Sequence, residues 1–226
     1  DCAIFGSVPF NLEHISKFKK LQCPFIMLGD FQSANMNDID INHITGDSFM
    51  QGSHCLKFMN ERGFKEISLV SLDTHRWHFY KQFADGVKDA GTDAGIKVNF
   101  LEMPEDTHLD INNDSAIKEN YKQFFKDVSS DFFDVPIILM GLRENILIDV
   151  LSEQNKLSDH LPIILPRFDS NCFSGFYKSI YNMIKKVVKE PQVHHKERID
   201  IPFIIKDLVN NKKYLNSFFL KKNRNV

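Results

Sequence analysis

Glycine is scarce, at 10 of 226 residues. No GxxxxGK[ST] run and no GxGxxG run occurs, which excludes a Walker phosphate cradle and a dinucleotide-binding turn. No GxSxG run occurs either, so the nucleophile elbow of an α/β-hydrolase is missing. The four cysteines are Cys2, Cys23, Cys55 and Cys172. None forms a CxxC pair, and no Cys/His cluster has zinc-finger spacing. A chain of this length builds a core without staples, so the four read as reduced, mostly buried thiols of a cytoplasmic protein. No apolar run reaches the ~18 residues that a membrane-spanning helix needs. The N-terminal stretch Asp1 to Phe5 has no basic flank and no signal-like apolar run. His194 and His195 are adjacent, so their side chains diverge and make a poor metal pair. Asp38 and Asp40 lack an EF-hand continuation, and residues 38–47 read as a polar loop. No catalytic residue, metal ligand or cofactor is assigned, and the chain is read as a non-enzyme.

What is present is an ordinary globular composition, 42% hydrophobic and 26% charged. Phenylalanine is abundant at 21 residues, implying a core filled by large rings. Charge is segregated. Residues 174–226 carry 12 basic and 4 acidic side chains, leaving 16 basic and 26 acidic for residues 1–173. The last stretch holds Lys212, Lys213, Lys221, Lys222 and Arg224 with no acid and reads as a solvated basic tail.

The length fits one large domain or two small ones. Short apolar runs predict strands over residues 2–6, 24–28, 67–72, 96–101, 136–140, 161–165 and 199–205. Helical periods predict helices over residues 11–21, 47–62, 76–90, 112–128, 143–154 and 174–189. Asn11 and Asp47 are candidate N-caps; Gly63 and Gly91 are candidate stops. Continuous apolar strands alternating with helices predict a parallel sheet covered on both faces, a doubly wound α/β architecture.

One segment, residues 47–70, resembles the lactose-repressor/galactose-repressor (LacI/GalR) family. There an Asp opens a helix, a Gly follows five residues on, then come a small residue, a Leu-like residue, and Gly and Ile ahead of a strand. Asp47, Gly52, Cys55, Met59, Gly63 and Ile67 stand at those spacings. Residues 1–5, 24–30, 136–153, 161–169 and 203–206 resemble further strands and helices of the family, in the family's order.

The resemblance implies a periplasmic-binding-protein-like α/β fold. It has two lobes with mostly parallel sheets: residues 1–45 and 174–190 in one, 46–173 and 199–226 in the other. It begins at a strand that in the family follows a helix-turn-helix headpiece and two β–α units. The chain is therefore expected to be a partial or degenerate member lacking the N-terminal units of the first lobe, with apolar sheet edges exposed. The implied function is the effector-binding and dimerisation domain of a cytoplasmic bacterial transcription regulator or repressor. A small molecule in the interlobe cleft would modulate DNA binding, and DNA would be contacted only through a domain not in this chain. A homodimer is implied, with Phe173, Phe176, Tyr177 and Tyr181 as interface candidates, and no membrane partner. Two alternatives remain open: an extracytoplasmic solute-binding protein, and a ligand-free interaction module of the same fold.

Strand ends locate the expected ligand site, because ligands of doubly wound sheets sit beyond the carboxyl ends of the strands. Asp169 can accept hydroxyl protons, Trp77 can stack, and Arg76 and Arg143 can donate. Phe79 and Phe83 stand where the family has a polar contact and a sugar-clasping Arg. Met140-Gly141-Leu142 falls where the family has an Asn. The expected effector is thus sugar-like with an aromatic or apolar part, or more apolar still.

Overall fold

The computed structural model describes residues 2–6, 12–21, 23–29, 40–75, 77–104, 113–158, 160–167, 174–199, 204–208 and 212–215. Their elements run β1 (Ala3–Gly6), α1 (Leu12–Phe18), β2 (Phe25–Leu28), β3 (Asn42–Gly46), α2 (Ser48–Asn60), β4 (Glu66–Leu72), α3 (His78–Ala94) and β5 (Lys97–Met103). They continue with α4 (Asp114–Lys126), β6 (Ile137–Met140), α5 (Glu144–Glu153), β7 (Ile163–Arg167), α6 (Ser174–Lys189), β8 (Lys196–Ile199), β9 (Ile204–Asp207) and β10 (Lys212–Leu215). The strands form two sheets, ordered β1-β2-β3-β8 and β10-β9-β7-β6-β4-β5. The first is parallel throughout. The second is parallel from β7 to β5 and antiparallel at β9 and β10. The expected α/β architecture with mostly parallel sheets is what the chain forms.

Both sheets are covered on both faces, as parallel sheets require. On the first, Ile15 of α1 packs with Met27 and Ile41, while Met183 and Val187 of α6 pack with Ile26 and Ile44. On the second, α2 and α3 cover one face through Leu56, Met59, Phe83 and Val87. On its other face, α4 and α5 bury Tyr121, Phe125, Leu147 and Leu151 with Phe133. The abundant rings fill this layer by edge contacts, with Phe125 and Phe133 centroids 5.9 Å apart.

Helix ends follow local chemistry. Asp47 caps α2, its Oδ1 accepting from the Met50 amide at 3.0 Å. Asn113 caps α4 in the same way through the Ala116 amide. The expected cap Asn11 lies outside the described residues. The Lys156 ammonium closes the other end of α4, donating to the carbonyls of Phe125, Lys126 and Val128.

Four expectations need correction. Helix α3 runs past Gly91 and ends at Gly95, whose φ of 64° only glycine adopts freely. Gly91 instead faces β5, where a Cβ would sit 2.7 Å from a Val98 methyl. The expected last strand divides into β8 and β9, which belong to different sheets. Residues 212–215 of the basic tail form β10, paired antiparallel to β9.

The fourth correction is β3, in the stretch read as a polar loop. Asn42, His43 and Thr45 are buried in it. Asn42 donates to the Phe25 carbonyl at 3.1 Å and accepts from the His195 amide at 2.9 Å. A ring nitrogen of His43 meets the Gly29 carbonyl. Burial of these polar groups is offset by partners from β2 and the approach to β8.

Helices α2 and α3 touch backbone to backbone. A Cβ on Gly52 would lie 2.1 Å from the Phe83 carbonyl oxygen, and one on Gly86 2.0 Å from that of Phe49. Ser53 Oγ bridges the crossing, 3.1 Å from both the Phe49 and Gly86 carbonyls. Gly86→Ala is expected to cost about 2–3 kcal/mol, because a backbone neighbour cannot turn aside. At Gly63 the surroundings are open and only a φ of 84° opposes a side chain. Gly63→Ala should therefore cost about 1 kcal/mol. Urea unfolding of the two variants checks the order.

Candidate functional site

The strands β5, β4, β6 and β7 lie side by side and parallel, so their carboxyl ends share one edge. Helices α3 and α5 begin there, at His78 and Glu144. The positive ends of both helix dipoles therefore face the same edge as the strand ends.

The turn after β4 is held from two sides. Asp73 Oδ1 accepts from the His75 amide at 2.9 Å, and the Asp73 carbonyl accepts from the Trp77 amide at 3.2 Å. Across the edge, Glu102 of β5 accepts from the Thr74 amide at 2.5 Å and its hydroxyl at 2.6 Å. His75 Nε2 lies 3.8 Å from the other Glu102 oxygen. Glu102 is thus a clamp on the β4–α3 turn.

Three rings follow that turn. The Trp77 and Phe79 centroids are 6.2 Å apart, and those of Phe79 and Tyr80 are 4.0 Å apart. Tyr80 reaches the turn after β6, where Gly141 has φ 85° and an added Cβ would be 2.6 Å from the phenol ring. Burial pushes the Tyr80 phenol up to about 12. In the same turn the Arg143 amide donates to the fully buried Tyr121 hydroxyl at 3.0 Å. Burial raises that phenol's pKa as well. The Arg143 guanidinium pairs with Asp114 at 2.9 Å in an exposed bridge worth about 0–1 kcal/mol. Behind the turn, Lys206 of β9 meets Glu144 at 2.9 Å, both largely shielded from water.

Of the sequence-derived candidates, Trp77, Phe79 and Arg143 stand at this edge. Arg76 and Asp169 lie outside the described residues. Phe83 does not line the edge, which corrects the expectation. It is fully buried against Leu56, Leu69 and Val87, because the close α2–α3 crossing turns this position into the core. Sequence reasoning missed Glu102, Thr74, Tyr80 and Tyr121. Glu102 carried a signal, being the carboxylate at the end of an apolar strand run; the phenols looked like ordinary core rings. Among the described residues, no group of three His, Cys, Asp or Glu side chains is placed to hold a metal ion. No described helix is long and apolar enough to cross a membrane.

Two outcomes test this geometry. Glu102→Ala leaves the Thr74 amide without its acceptor, so exchange of that amide should rise while β6 amides stay protected. Burial holds the Tyr80 phenol at about 12, above its ordinary value near 10. Its contribution to stability is therefore present below pH ~10 and lost as pH rises toward ~12. Melting against pH should show a shallower alkaline fall in Tyr80→Phe than in the parent.

Comparison with known proteins places the fold. No protein-family profile matches the chain, and no curated protein matches it by sequence. Solved structures do match. A regulatory protein of the LacI family from Chloroflexus aggregans superposes with a TM-score of 0.60 at 13% identity, covering 92% of this chain and 76% of that one. A LacI family transcriptional regulator from Enterococcus faecium with bound ribose gives 0.55 at 14% identity, covering 95% and 79%. A periplasmic binding protein/LacI transcriptional regulator from Alkaliphilus metalliredigens complexed with D-xylulofuranose gives 0.54 at 11% identity, covering 88% and 73%. The likeness is one of fold: the chain adopts the periplasmic-binding-protein-like α/β architecture of LacI-family regulators.

Proposed function

We propose that the chain is the effector-binding part of a transcription regulator, with a small molecule seated at the shared strand edge. The observation that carries this reading is the cluster of Trp77, Phe79 and Tyr80 beside Glu102 and Arg143 at the carboxyl ends of four parallel strands. The first sheet with α1 and α6 forms one lobe, residues 1–45 and 174–190, which β8 extends. The second sheet forms the other, residues 46–173 and 199–226. The chain passes between the sheets three times: from β3 to α2, from β7 to α6, and from β8 to β9. Three crossovers act as a hinge, and a ligand favouring one lobe arrangement would shift the equilibrium between arrangements. A linked DNA-binding domain would read that shift. The regulator works in the cytoplasm as a homodimer. No catalytic step is assigned to the site.

The neighbours' bound pentoses point to a sugar-like ligand, and the rings here add an apolar requirement. Trp77 and Phe79 stack on ligand rings, Arg143 and Arg76 donate to its oxygens, and Asp169 accepts from hydroxyls. Trp77 is the single tryptophan, so its emission reports on the site. Titration with a small-molecule panel should give saturable quenching by ligands carrying an aromatic or apolar part, and weak or no response to ribose. Phe79→Ala should weaken binding about tenfold, the loss of one ring contact. Tight binding of a plain monosaccharide, abolished by Asp169→Ala and indifferent to Phe79→Ala, would overturn the apolar requirement. No response to any panel member would favour a ligand-free interaction module.

A further inference from the structure

Helix α6 presents two faces of different chemistry. Ile180, Met183, Ile184 and Val187 turn onto Ile26 and Ile44 of the first sheet. On the flank of that apolar face, Tyr177 and Tyr181 keep 67% and 58% of their surface exposed, and Val188 is exposed between them. At 3.6 residues per turn these three fall within about 40° of arc, and Lys185, Lys178 and Lys189 span another ~40° of arc that starts about 40° further round, on the side away from the core face. A stripe of rings thus runs beside a stripe of ammonium groups. The helix contains no acidic residue. Among the described residues, none of the three lysines pairs with a carboxylate; the Lys185 ammonium lies 4.2 Å from the Tyr181 ring centroid. Residues 1–173 hold 16 basic against 26 acidic side chains, so this basic face stands out from an acidic background.

An anionic membrane would use the lysines but needs an apolar stripe to insert, and Val188 is the lone exposed aliphatic of this described face. An acidic peptide would leave both rings without a partner. Single-stranded nucleic acid uses both stripes, because every base has a face to stack and every linkage a phosphate. Tyr177 and Tyr181 stand ~6 Å apart along the axis, wider than the ~3.4 Å rise of stacked bases. They suit an extended strand, not a duplex.

We propose that α6 carries a sequence-independent face for single-stranded nucleic acid, stacking bases on Tyr177 and Tyr181 and holding phosphates with Lys178, Lys185 and Lys189. This contact belongs to the chain itself, whereas the family resemblance implies contact through a separate domain. It stands independently of the effector reading.

Fluorescence anisotropy of a labelled 15-residue oligothymidylate, titrated with the full chain, tests it. Saturable binding is expected in the range of about 1–50 µM at 50 mM salt. Three phosphate contacts predict a slope of log affinity against log salt of about −2. Tyr177→Ala and Tyr181→Ala should each weaken binding about tenfold. The double variant Lys185→Glu, Lys189→Glu should weaken it further and flatten the salt slope, while Lys17→Glu on α1 changes nothing. All the substituted side chains are exposed, and circular dichroism verifies that each variant folds. Absence of binding at 100 µM and 50 mM salt would overturn the proposal. So would binding indifferent to the tyrosines, or equal affinity for phosphatidylserine vesicles or a polyglutamate peptide. Sedimentation adds a last arm: a dimer that the tyrosine variants dissociate, with oligonucleotide binding intact, would assign this face to a second copy of the chain instead.

Discussion

The contact on which the second sheet depends is the backbone-to-backbone crossing of α2 and α3. Gly52 and Gly86 each leave a notch that the other helix fills with a carbonyl group. Two helices that approach this closely present one continuous apolar surface, Cys55, Leu56, Met59, Phe83, Ala84 and Val87, to β4, β6 and β7. Interiors packed at crystal-like density do not absorb an extra methyl group at such a point. Ser53 adds a hydrogen bond across the crossing, to the Gly86 carbonyl, tying the approach to a register as well as a distance. The position of α3 then decides where its first turn begins, and with it the placing of Trp77, Phe79 and Tyr80.

The strand edge inherits its order from that placing. Glu102 holds the β4–α3 turn through Thr74, while Tyr80 and Tyr121 brace the β6–α5 turn against Gly141 and the Arg143 amide. Each brace joins a strand end to a neighbouring helix or strand, so the edge is a set of turns fastened to the rigid sheet. The half-buried Trp77 and Phe79 rings and the exposed Arg143 guanidinium, paired with Asp114, border the edge so fastened.

The first sheet solves a different problem. Its strands are short and its third, β3, is polar. Asn42 joins the Phe25 carbonyl to the His195 amide, which gathers β2, β3 and the entry to β8 at one point. Hydrogen bonds made across three chain segments do there what apolar area does in the second sheet. The basic residues concentrate on α6 and beyond, while the acidic ones lie earlier in the chain, so the two ends carry opposite fields.

Much of the fold was legible in the residues alone. Helix periods, the Asp47 cap and the continuous apolar strands of β4 and β6 depend on neighbours close in sequence, and these elements formed where the pattern placed them. The order of motifs likewise pointed to the architecture that the superpositions support. What failed has a common cause. The polar strand β3, the continuation of α3 through Gly91 and the separation of β8 from β9 are each decided by a partner remote in sequence. Asn42 is a loop residue until Phe25 and His195 meet it; Gly91 is a stop until Val98 lies against it. The candidate site divides the same way. Trp77, Phe79 and Arg143 follow strand ends, and strand ends are visible in sequence. Phe83 was misplaced because burial by α2 is a tertiary fact. Composition and periodicity determined which elements exist and which strand ends gather; only the packing of helix on helix and strand on strand decided which side chains face outward there, since burial depends on what the rest of the chain brings near.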